Sequence, residues 1–173
     1  MSETDVQARA RGALMGALVG EALGVGPHWY YDLEELHRTY GPWISDYTTP
    51  QAGHYHAGLK AGESSQSGLL LELTMRSLAA RGVYDEADFC RRIDEDFFPK
   101  INGEPKYGPG GYTSQSMREA YRLRVGAKKP WGTIGGLADN TEAAERALAI
   151  GVRYARDPQQ LARSVSGNTV LTQ

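Results

Sequence analysis

Four glycines at a strict spacing of four, Gly12, Gly16, Gly20 and Gly24, run through "VQARARGALMGALVGEALG" near the N-terminus. No other stretch constrains the fold as much. Residues four apart are neighbours on one helix face, so the glycines line a shallow channel that another backbone can enter. Each glycine costs about 1 kcal/mol of helix propensity against alanine. The expectation is a central helix crossed tightly by a neighbour, with packing offsetting that cost. A membrane reading of the same face fails, because arginines and Glu21 interrupt the segment. Thr4 and Gln7 stand at capping-box spacing at its start.

Helix signals dominate the rest. Asp32, with Glu35 three residues on, makes a capping box at the start of "LEELHRTY", which Gly41-Pro42 stops. "QSGLLLELTMRSLAAR", residues 66–81, ends at Gly82, and Leu69, Leu70, Leu73 and Leu78 give it a broad apolar face suited to the interior. Asp85 starts a fourth helix that stops at Pro99, and residues 113–126 form a fifth. Asp139 with Glu142 caps a sixth, and Asp157-Pro158 with Gln160 opens a seventh. No stretch alternates as a strand does. The predicted fold is all-α, a single globular multi-helix domain over 1–173. The closing "LARSVSGNTVLTQ" has no charged tail, so the chain reads like the first part of a longer helical domain.

Composition excludes several function classes. Nineteen Lys+Arg against twenty-one Asp+Glu give a net charge of -2. A nucleic-acid or anionic-membrane binder carries a basic excess instead. Cys90 is the single cysteine, so neither an internal disulfide nor a cysteine zinc cluster can form. No apolar run approaches the ~20 residues of a membrane span, and the opening residues are too polar for a signal peptide. The expected setting is the cytoplasm.

Four segments could carry chemistry. "GPHWYYD", Gly26 to Asp32, combines His28, an acid, base or ligand, with the flat rings of Trp29, Tyr30 and Tyr31, which either offer a ligand surface or plug the top of the core while His28 bonds a backbone carbonyl. "AGHYHAG" carries His54 and His56 two apart, which in an extended segment puts both imidazoles on one side. That is half of a transition-metal site with no nearby carboxylate or thiolate to complete it, so anchoring or substrate contact is the better reading. The run Ser64, Ser65, Gln66, Ser67 opens a helix, and free amides there can bind an anion such as phosphate or simply be capped by the serines. "NGEPKYGPGGY", Asn102 to Tyr112, is glycine-rich without the GK[ST] of a phosphate loop.

Together these segments resemble the ADP-ribosylglycohydrolase superfamily. "RARGALMGALVGEALGVGPHWYYD" looks like that family's opening helix, usually GxxxGxAxGDALG, and its HWYYD ending is closer to the J-type crystallin branch. "YHAGLKAGESSQSGLLLELTMRSLA" resembles the segment that leads to a Thr-Asp-Asp helix start, and "NTVLTQ" a later Leu-Thr-His segment. The resemblance implies an all-α fold with a cleft at helix ends. Active relatives hold two magnesium or manganese ions there and cleave ADP-ribose from a side chain or nucleotide. Here Ser65-Gln66-Ser67 stands at the early motif, and the downstream Asp-x-Asp-Thr has no counterpart before Gln173. Paired dications need anionic oxygens to offset their repulsion, so the expectation is no metal cofactor and an activity diverged or lost.

The expected ligand is an ADP-ribose-like small molecule, contacted by His28, Trp29, Tyr30, His56, Ser65, Gln66, Ser67 and Asn140. Glu21, at the Asp position of the opening motif, and His28 are candidates for acid–base help, with no catalytic residue assigned. The alternatives are a nucleotide-sugar-binding pseudoenzyme and a crystallin-like structural protein. Either a homo-oligomer or a separate C-terminal chain could cover an open face.

Overall fold

The computed structural model describes residues 2–101, 114–137 and 140–173. Seven α-helices run through these residues: α1 Glu3–Val25, α2 Leu33–Tyr40, α3 Gln66–Arg81, α4 Glu86–Arg92, α5 Gln115–Tyr121, α6 Glu142–Arg153 and α7 Pro158–Thr169. No strand occurs among the described residues; one isolated bridge joins Ala57 and Leu59. No described helix is long and apolar enough to cross a membrane.

The central helix is α3, with its ends where the sequence puts them. The Ser65 hydroxyl caps its start by accepting from the Ser67 amide, and Gly82 ends it in the left-handed conformation, its amide donating to the Leu78 carbonyl. Two apolar clusters meet across α3. Leu70 and Leu73 pack with Phe89, Ile93, Phe97, Met117, Ile134 and Leu171 on one side. Leu71 and Leu78 pack with Ala149, Ile150 and Tyr154 on the other. Helix α6 lies against α3, α7 lies against α6, and α4 covers the remaining flank. Cys90 is buried among these groups, and burial pushes its thiol up to about 12.

Several expectations are corrected. The capping box of α1 is made by Ser2 and Asp5, not Thr4 and Gln7: the Asp5 amide donates to Ser2 Oγ and the Ser2 amide to Asp5 Oδ2. Nor is α1 the central helix. Only Ala22 and Val25 of its residues are buried, and nothing lies within 4 Å of a Cβ placed at Gly12, Gly16, Gly20 or Gly24. The glycine face is uncovered; α1 rests on α3 and α6 through its other side.

The fourth and fifth helices reach their expected ends, but not as regular α-helix throughout. Each passes into a π-helical turn, Ile93–Phe97 and Arg122–Gly126. Asp139 lies outside the described residues, as do Asn102 to Tyr112 of the glycine-rich loop. At the start of α6, Asn140 Oδ1 accepts from the Glu142 amide and Gln173 Oε1 from the Ala143 amide. In the closing segment Leu171 and Thr172 are buried, although Val170 is not.

Behind the start of α6 sits Arg146, fully buried. Its guanidinium donates to Glu142, to the Asn168 side chain and carbonyl, and to Thr172 Oγ1. Every branch of the cation meets an oxygen, which is the condition for keeping a charge in a dry interior. This hub ties the end of α7 to the start of α6.

Candidate functional site

The end of α1, the start of α3 and the start of α6 converge on one cleft of about 630 Å³. The loop after α1 is brought into place by contacts the sequence does not advertise. Tyr40 donates its hydroxyl to the Gly26 and Thr49 carbonyls, at 2.9 and 3.1 Å. Gly26 packs so closely on Thr48 that a Cβ there would stand 1.9 Å from Thr48 Oγ1. Two non-glycine residues at the cleft, Trp29 and His56, hold φ near +64°. Such backbone is uncommon for L side chains and clusters at ligand sites.

Glu21 comes off α1 and reaches the head of α3. Its Oε1 accepts from the Ser65 amide at 2.9 Å. Its carboxylate lies against Gly68, where a Cβ would meet Glu21 Oε2 at 2.4 Å. Oε2 is buried and has no partner in hydrogen-bond geometry, though the Ser64 and Ser65 hydroxyls lie near enough to favour the charged form. Burial is the larger influence and raises the Glu21 carboxyl above the ordinary glutamate value; the negative field of Glu145 adds to it. The anion expected at this helix start is therefore one of the protein's own side chains.

His28 and His56 meet across the cleft, Nδ1 to Nε2 at 2.7 Å, with their rings nearly parallel. One ring must donate and the other accept, so at least one is neutral. Burial lowers both, His56 to about 4 with further depression by His28, while Glu145 partly opposes the shift at His28. His54 goes elsewhere. It stacks on Tyr30 at 4.3 Å and faces Glu35 at 3.7 Å. The two imidazoles of "HYH" thus serve different partners, because the chain turns with positive φ at His56 instead of running extended.

Of the eight expected contacts, the cleft gathers His28, Trp29, His56, Ser65, Ser67 and Asn140. Tyr30 and Gln66 do not line it. Tyr30 packs on His54 and edge-on to Tyr40, while Gln66, at the first position of α3, is buried inside the fold. Sequence reasoning missed Glu142 and Glu145, which line the far wall. Their signal was present in "NTEAAE", acids in the first turn of a helix that follows a candidate contact. Glu142 is buried and bonded to Arg146, with Ser116 and Thr172 hydroxyls donating weakly to its Oε2. Glu145 is more open and accepts from Thr141 Oγ1 at 2.7 Å.

The described residues do not fit a pair of divalent ions. Ser65 and Ser67 are neutral, Glu21 is engaged with the head of α3, and Glu142 is neutralised by Arg146. No three His, Cys, Asp or Glu side chains among the described residues converge as a metal cluster would require.

A helical fold with its cleft at the ends of α1, α3 and α6 is what the resemblance implies for one protein class, and comparison at the level of whole families agrees. The ADP-ribosylglycohydrolase family model matches residues 2–173, so the chain belongs to the ADP-ribosylglycohydrolase family. No curated protein matches it individually.

Proposed function

We propose that the cleft is the working site of a hydrolase-like protein that acts on an N- or O-glycosidic bond of ADP-ribose type, with chemistry diverged from metal-pair hydrolysis. The observation that carries this reading is the placement of two carboxylates, Glu21 and Glu145, with the His28–His56 pair in one cleft. Glycoside hydrolysis without a metal generally uses two carboxyl groups. One gives a proton to the departing group, and the other assists water or stabilises the positive charge that develops on the sugar. Glu21 suits the first role, since burial keeps its proton on to a higher pH than an ordinary glutamate. In the reaction the glycosidic bond breaks, water adds to the anomeric carbon, and the leaving group departs with a proton. Trp29, 40% exposed at the mouth, offers a face for a sugar or base. The buried free thiol of Cys90 is consistent with a reducing cytoplasm.

Incubation with ADP-ribosyl-arginine and ADP-ribosyl-serine peptides, with and without Mg²⁺, tests this. Release of ADP-ribose without metal, lost in Glu21→Gln, supports the reading. No turnover under any condition refutes it and leaves ligand binding alone, measured by ADP-ribose calorimetry.

A second reading is assembly, in keeping with the resemblance of "HWYYD" to the J-type crystallin branch. Met15 and Val19 of α1 are 59% and 43% exposed beside the uncovered glycines, at an apolar groove of about 770 Å³ between α1, α3 and α6. A second copy laid on this face would bury it. Sedimentation that finds a monomer at all concentrations, unchanged by Val19→Asp, refutes this reading.

A further inference from the structure

The segments "GPHWYYD" and "AGHYHAG" meet ring to ring in antiparallel register. His28 pairs with His56, Trp29 with Tyr55 and Tyr30 with His54, at centroid distances of 4.8, 3.9 and 4.3 Å. Each segment turns on itself, the Tyr30 amide donating to the Pro27 carbonyl and the Ala57 amide to the His54 carbonyl, so side chains make this bridge. Tyr40 ties the roots of the two segments, its hydroxyl donating to the Gly26 and Thr49 carbonyls. His28, Trp29 and His56 line the cleft, whereas the Tyr30–His54 rung stands outside its lining. The ladder thus has an inner end at the cleft and an outer end beside α2.

We propose that this three-rung ladder is a proton-operated clasp: a second proton on the His28–His56 pair parts residues 28–30 from 54–56 and opens that wall of the cleft, while the Tyr40 tether holds its base. The pair's own chemistry sets the order of events. Neutral, one imidazole donates across 2.7 Å and the other accepts. With one proton, an imidazolium still donates to a neutral ring, and the bond survives. With two, neither facing nitrogen can accept, and two cations oppose each other. The first proton belongs on His28, because Glu145 of α6 favours its charged form. His56 is 4% exposed, and burial with the neighbouring His28 holds it down to about 4. The other acids of the cleft are engaged, Glu21 with the Ser65 amide and Glu142 with Arg146. The outer rung answers acid differently: a proton on His54 meets Glu35 Oε1 at 3.7 Å. Tyr40, edge-on to Tyr30, stays neutral throughout, since burial pushes its hydroxyl up to about 12. The clasp therefore opens from the cleft side. Trp29 and His56, both at φ near +64°, can relax to commoner backbone once their rungs part. The clasp would work in the same way whatever reaction the cleft hosts.

Hydrogen exchange of the whole chain, read segment by segment and corrected for the intrinsic effect of pH, tests this between pH 7 and pH 4.5. Protection of residues 26–30 and 54–58 is expected to fall together by at least about tenfold, as the lowered His56 implies, while α3 and α6 stay protected and circular dichroism is unchanged. His28→Asn keeps an amide where Nδ1 stood and leaves the pair room for one proton only. Its acid response should shrink to less than about threefold. His54→Phe removes the titrating group of the outer rung and should leave the response as in the wild type. Unchanged protection of the two segments at pH 4.5, loss of protection in α3 and α6 at the same pH, or a response abolished by His54→Phe overturns the proposal. If His28→Asn does not fold, ring NMR of the wild-type histidines decides. Two coupled steps for His28 and His56, with exchange following the second, support the clasp; exchange following the first step refutes it.

Discussion

Helices α1 and α3 both look like interior helices on paper, and only one is. Helix α3 carries large apolar residues on several faces, and two clusters close on it. Helix α1 carries glycines at every fourth position, and that face meets nothing within 4 Å. The difference is one of driving force. Burying leucine side chains releases about 1.5–3 kcal/mol each, so a leucine-rich face demands a partner. A glycine stripe supplies almost no area. It permits a close approach without causing one. The glycines of the two helices differ in the same way: Gly68 of α3 is required by the Glu21 carboxylate pressed on it, whereas Gly16 of α1 is required by no contact within the described residues.

The widest gap between the two regions should appear at Arg146, in the body built on α3 and α6. Arg146→Ala leaves Glu142 buried without its cation and is expected to lower unfolding free energy by about 3–5 kcal/mol, read by urea denaturation; a loss below 1 kcal/mol would show the hub to be dispensable. Next come the glycines. Gly68→Ala should destabilise by about 1–3 kcal/mol, since overpacking must displace the Glu21 carboxylate. Gly16→Ala, on the open face, should stabilise by up to about 1 kcal/mol. If both substitutions shift stability in the same direction, the contrast between α1 and α3 is wrong.

The smallest effect is in pH dependence. The depressed His56 contributes stability that is present above pH 6.5 and lost as pH falls towards its folded value of about 4. The raised Glu21 acts oppositely: its contribution is present below 4.5 and lost as pH climbs through its raised folded value. Melting temperatures from pH 4 to 8 should therefore rise less steeply with pH in His56→Gln than in the wild type. In Glu21→Gln the opposing decline above pH 4.5 should disappear.

Much of the fold was legible because local chemistry fixes helix ends. Asp32, Ser65, Asp85 and Asp157 each cap the helix they precede, with a side-chain oxygen accepting from an early amide. The start of α6 was less legible, because Gln173, thirty residues on, supplies a partner for the Ala143 amide. Long-range partners leave no local mark. The site shows the same division. His28, Trp29, Ser65 and Ser67 were readable as chemistry at helix boundaries. The fate of His54 was not, because the turn at His56 sends the two imidazoles apart. Nor was Glu21's contact with Ser65 readable, since forty-four residues separate them. Glu145 belonged to an ordinary acidic first turn until the packing of α6 turned it towards the cleft.

The central proposal is that the Glu21 carboxylate, in place of a pair of divalent ions, occupies the head of α3. The direct test is the metal content of the native protein after purification in Mg²⁺ and Mn²⁺, measured together with its intact native mass. The account predicts well under one ion per chain and a native mass with no increment for bound metal. Two ions per chain, lost together in Ser65→Ala or Glu21→Gln, would contradict it.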